Sequence, residues 1–168
     1  MRKKCIVAIV ILSLYVVGCE PSVYNFDKDY YGNKIERIEL RYSIIKQKPI
    51  IIFLKNGKSP QFQIEDSLLL ETIEESKISD FINDFSKIDF FEFANCCNEP
   101  FGFIVVIYLL NNNYIISSCS SYGKEYYGIF AEFNENNEFV QSFGQIAEVY
   151  KYEVVIKKYF DSFVGNTL

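Results

Sequence analysis

The residues whose types could do chemistry are few: five cysteines, four serines around one of them, two carboxylate clusters and a knot of tyrosines in a chain of 168 residues. Histidine and tryptophan are both absent. Without histidine the chain lacks the commonest general base and the commonest metal ligand at neutral pH. A Ser–His or Cys–His nucleophile pair cannot be built, nor can an H-E-x-x-H zinc helix, and no P-loop is present. The run Ser117-Ser118-Cys119-Ser120-Ser121 has no base beside it. A nucleophilic serine there would need lysine activation, which a linear sequence does not locate. Cys96, Cys97 and Cys119 are an incomplete zinc set, because structural zinc takes four Cys or His ligands. The expectation is a non-enzyme with no cofactor and no metal.

Three constellations need a closer reading. Glu71, Glu74 and Glu75 form one acidic cluster, and Asp80 and Asp84 another. Four residues apart on a helix, Asp80 and Asp84 share one face, where paired carboxylates can do acid–base work or bind calcium. That face lies opposite an apolar stripe, so solvated surface charge is the expected reading. Tyr122, Tyr126 and Tyr127 crowd the turn at Gly123-Lys124. Tyrosine-rich loops give rigid amphipathic contact area, which makes this a candidate binding loop. The competing reading is a tight turn with its strand-end aromatics buried. For the three thiols, a bridge from Cys96 or Cys97 to Cys119, three free thiols, and a bond within the adjacent pair all stay open. A turn centred near Asn112 sets Cys119 opposite roughly Val105, so the 94–100 segment must fold back to reach it.

The elements that must carry these residues follow from periodicity. Over 35–45, Ile38, Leu40, Tyr42 and Ile44 alternate with Arg37, Glu39 and Arg41, which predicts a half-buried strand with one wet face. Residues 50–54 read as a buried strand before the Asn56-Gly57 turn. Short strands are expected at 61–65 and 68–74, the second equally compatible with a helix. From Ser76, an N-cap residue by type, Ile78, Phe81, Ile82, Phe85 and Ile88 repeat at helical spacing. A strand at 89–93 follows. The strongest hairpin is 101–110 with 114–118 around Asn111-Asn112-Asn113. Another strand spans 127–133 and ends at Asn134–Asn137. Phe139, Phe143 and Ile146 are spaced for a helix that Gly144 weakens, and 150–164 suits strand or helix. Strands arriving as hairpins with short turns predict an α+β fold: a mainly antiparallel, twisted sheet with one or two helices packed on one face.

The amino terminus carries an address. Arg2, Lys3 and Lys4 precede Cys5 to Val17, a 13-residue run that is apolar except for Ser13. This is a secretory signal layout, short of the roughly 20 apolar residues that span a bilayer. Val16-Val17-Gly18-Cys19 resembles the lipobox of bacterial lipoproteins. That resemblance implies a diacylglycerol thioether on Cys19, cleavage after Gly18, and usually acylation of the new amino group. Two or three acyl chains give stable anchoring where one is marginal. The expected organisation is a signal peptide at 1–18, a lipidated cysteine and tether at 19–34, and one domain at 35–164. The tether could instead be docked by its aromatics, Tyr24, Phe26, Tyr30 and Tyr31.

With the three basic residues of the signal set aside, 14 Lys+Arg face 22 Asp+Glu in residues 19–168, a net charge of −8. So acidic a domain is a poor candidate for nucleic acid or an anionic membrane face. The expectation is a membrane-anchored, non-catalytic lipoprotein of the bacterial cell envelope, on the periplasmic or surface face of a membrane. Its binding partner is expected to be another protein, as for immunity lipoproteins and envelope inhibitors, by analogy of size and address. A small-ligand or glycan binder using an aromatic platform is the alternative.

Overall fold

The computed structural model describes residues 23–43, 51–52, 67–91, 97–98, 102–122, 125–146 and 149–163. In chain order the strands are β1 (Val23–Tyr24), β2 (Ile35–Ser43), β3 (Ile51–Ile52), β4 (Ser67–Thr72), β5 (Phe90–Phe91), β6 (Cys97–Asn98), β7 (Gly102–Leu109), β8 (Tyr114–Tyr122), β9 (Glu125–Phe133) and β10 (Phe139–Ile146). The helices are α1 (Lys28–Tyr31), α2 (Ile78–Phe85) and α3 (Val149–Tyr159). Six long strands form an antiparallel sheet in the order β10-β9-β8-β7-β2-β4, and the short strands β5 and β1 extend it beyond β10. β3 and β6 make a separate ribbon, with β6 lying against β9. The fold is α+β with a mainly antiparallel sheet, as the hairpin pattern predicts.

Alternation in the sequence builds the main core. Ile38 and Leu40 sit beside Ile107 and Val105 across the β2–β7 ladder, and all four are buried. Phe81, Ile82, Phe85 and Ile88 bring the apolar stripe of α2 onto this face, joined by Tyr152, Ile156 and Phe160 from α3 and the turn after it. Phe130 of β9 stacks on Phe90 at 4.3 Å and meets Phe85 edge-on at 5.6 Å. Each such side chain withdrawn from water contributes roughly 1.5–3 kcal/mol.

The other face of the sheet is not simply wet. Ile104, Val106, Tyr114, Ile116, Ala131 and Phe133 form a second, smaller buried cluster there. Glu39, expected in solvent, is only 6% exposed. Its oxygens accept from Arg37 Nε at 2.9 Å and Arg41 Nη1 at 2.7 Å, and the Arg37 guanidinium lies 3.7 Å over the Tyr108 ring. A buried carboxylate is tolerable because charged hydrogen bonds replace its hydration.

Two hairpin turns share one device. Asn112 and Asn137 both have φ near +60°, each closing a three-residue loop between consecutive strands. Asparagine tolerates this left-handed conformation better than most residues.

Several expectations need correction. Residues 23–34, read as a tether that aromatics could dock, are part of the folded body. β1 pairs with β5, and Phe26 and Tyr31 are buried in the main core, their rings stacked 5.0 Å apart. Asp27 caps α1 by accepting from the Tyr30 amide at 2.9 Å. Ser76 lies inside the 3-10 turn Glu75–Lys77, and Lys77, with no side-chain cap bond, precedes α2. Residues 139–146 form a strand rather than a helix. Two register shifts against β9 interrupt the alternation and hide the strand's period of two. Gly144, at φ 114°, sits at one of them. The two ambiguous segments resolve as strand at 67–72 and helix at 149–159. Of the strands expected at 50–54 and 89–93, residues 51–52 and 90–91 are strand (β3 and β5); residues 50, 53–54, 92–93 and 61–65 lie outside the described residues.

Candidate functional site

Among the described residues, two clefts flank α2, one toward each end. The first is a groove of about 660 Å³ between α1, the 3-10 turn Gly32–Lys34 and the start of β2 on one side, and α2 from Ile78 to Asn83 with the turn before it on the other. Asp29, Glu36, Glu75 and Asp80 line it above a floor that includes Ile78 and Ile82. Lys28 is the one cation among the lining residues, and its Nζ donates to Asn83 Oδ1 at 3.3 Å, a bridge from α1 to α2. Four carboxylates come together here from α1, β2, a 3-10 turn and α2, Glu36 among them already paired with Arg37 Nη1 at 2.9 Å. The groove is acidic because the fold gathers them, not because the sequence does.

The second cleft, about 290 Å³, lies between the end of α2 and the outer face of α3. Lys87, Lys151 and Lys158 ring it, with Tyr150 and Val154 on its wall. Asp84 holds the two helices together there. Its carboxylate accepts from Lys158 Nζ at 2.6 Å, Lys87 Nζ at 2.9 Å and the Tyr159 hydroxyl at 2.8 Å. The hydrogen bond from Lys158, then those from Lys87 and Tyr159, hold the Asp84 carboxyl well below the usual carboxylate range. The same contact raises Lys158, while burial and then its bond to Asp84 raise Tyr159.

Between the sheet and α1 lies a buried polar knot that no local pattern announces. Glu132, 5% exposed, accepts from the Tyr31 hydroxyl at 2.9 Å, Gln141 Nε2 at 2.7 Å and Asn113 Nδ2 at 2.7 Å. Gln141 Nε2 also donates to the Tyr31 oxygen at 2.7 Å. Burial, and then the hydrogen bond to Glu132, push the Tyr31 hydroxyl far above its ordinary value. This knot ties α1, β9, β10 and the β7–β8 turn together.

The residues singled out by sequence are dispersed. Glu71 Oε2 accepts from the Ser162 amide at 2.8 Å, Glu74 pairs with Lys77 at 3.3 Å, and Glu75 faces the acidic groove. Asp80 lines that groove, whereas Asp84 belongs to the basic cleft, so the pair is no joint acid–base or calcium site. Asp84, expected to be an ordinary solvated charge, is a bracket between helices. Ser117 and Ser118 are buried, and the Ser117 carbonyl accepts from the Tyr152 hydroxyl at 3.0 Å. Nucleophilic attack on an external substrate from there is sterically closed. Cys119 is further from Val105 than expected: Ser117 is the residue opposite Val105, and Cys119 pairs with Gly128.

Cys19 and Cys96 lie outside the described residues, as do the side chains of Cys97, Cys119, Tyr122, Tyr126 and Tyr127. For the tyrosines the backbone register pairs Tyr122 with Glu125, Ser121 with Tyr126 and Ser120 with Tyr127. Tyr122 and Tyr127 therefore occupy positions of one sheet face and Tyr126 a position of the other. Among the described residues, no three Cys, Asp or Glu gather to hold a metal, and no helix is long and apolar enough to cross a membrane.

Comparison with protein-family models, with curated proteins and with solved structures yields no match. The class of the molecule is thus defined by its own fold: an acidic α+β domain with oppositely charged clefts at the two ends of one helix.

Proposed function

We propose that this protein is a lipid-anchored, non-catalytic binding module of the bacterial cell envelope that captures a basic protein partner, in the manner of an immunity protein or inhibitor. The anchoring half of the reading rests on the Val16-Val17-Gly18-Cys19 lipobox and the basic-then-apolar segment before it. The observation that carries the binding half is the groove lined by Asp29, Glu36, Glu75 and Asp80. Its apolar floor can bury an anchoring side chain, while its carboxylate rim suits the cationic surface around such an anchor. Complementary charge of this kind speeds encounter and selects against acidic partners.

The glycan or small-ligand reading has less support. It needs a concavity with aromatic walls, but among the described residues the phenylalanines named above are buried in the two cores, the acidic groove has no aromatic lining, and the basic cleft has a single ring, Tyr150.

The test has two parts. Mass spectrometry of the protein from a bacterial host is expected to find residues 1–18 removed and Cys19 acylated. An intact Met1 or a free Cys19 thiol sinks the anchoring. For binding, each exported basic protein encoded beside this chain is produced in the envelope with and without it. Protection from one of them is expected, and it should be lost when Glu75→Lys and Asp80→Lys are combined. Protection that survives this double reversal removes the groove from the binding site. Turnover of an envelope substrate by the purified protein overturns the non-catalytic reading.

A further inference from the structure

No further inference is drawn: the strongest candidate, the outer edge of β4 at the end of the sheet opposite β1, where Leu68 and Leu69 are exposed, carries nothing because nothing among the described residues shows what covers it.

Discussion

The two clefts flanking α2 grow from the same helix yet present opposite charge, and the aspartates that point into them are only one helical turn apart. Asp80 faces the α1 side, where Asp29 and Glu75 add to the same sign and Glu36 is paired with Arg37. Asp84 faces α3, where Lys158, Lys87 and Tyr159 consume its oxygens. Both are Asp on the polar side of one amphipathic helix, and no local rule separates them. What differs is the neighbour: α3 passes beneath one and not the other. One aspartate is therefore available to a partner, while the other is a structural bracket whose lysines form the rim of the second cleft. Net charge hides this division. A value of −8 describes a uniformly acidic body, whereas the fold sorts the charge into an acidic groove and a basic, partly apolar edge.

The largest effect is expected at a side chain in the core beneath α2. Phe81 is fully buried, stacked on Phe85 at 5.3 Å and in edge contact with Tyr159 and Phe160. Phe81→Ala is expected to cost about 3–5 kcal/mol, from lost burial plus the cavity left behind. Denaturant unfolding measures it. A loss below about 1 kcal/mol would mean that α2 is not seated by its apolar stripe.

A smaller effect is expected at the bracket. Asp84→Ala removes one carboxylate with three donors at a partly solvated site, and solvent screening limits the loss to about 1 kcal/mol. The sign of its pH dependence follows from the lowered carboxyl. Because the folded group stays ionised to lower pH than the unfolded one, its contribution is complete above the unfolded value, near 4, and fades as pH falls toward the folded one. The stability gap between wild type and Asp84→Asn should therefore be largest above about pH 5 and shrink steadily toward pH 2. A gap constant over that range would show that Asp84 acts by packing and not by charge.

The smallest expected effect sharpens the contrast. Asp80→Asn and Glu75→Gln in the acidic groove should each change stability by no more than about 0.5 kcal/mol. Any gain from relieving repulsion among the groove carboxylates should disappear on adding salt. If either neutralisation proves as costly as Asp84→Ala in thermal melts, the groove is held together by those carboxylates and is not a free surface.

Elements whose pattern is set by nearest neighbours were legible before any fold was known. The alternation of Ile38 and Leu40 with charged residues, the stripe from Ile78 to Ile88, and the asparagine turn between β7 and β8 are each written within about ten residues, because strand and helix expose fixed periods. The sequence alone also delimited the chemistry, since a chain without histidine has few routes to nucleophilic catalysis. Periodicity says which face is apolar; it does not say what covers the polar one. Glu39, Asp84 and Glu132 look alike as surface carboxylates, and only packing put two of them in the interior. The Tyr31–Glu132 and Lys158–Asp84 bonds join residues 101 and 74 positions apart, a separation that no local pattern spans. For the same reason residues 23–34 look like a polar tether until β5 and the main core receive Tyr24, Phe26 and Tyr31. The register shifts of β10, which interrupt a strand's period of two, are likewise visible only against β9. Local chain stereochemistry decided what each segment is. Tertiary structure decided which charges are free to act, because a charge's role depends on whether another element arrives to pair or bury it.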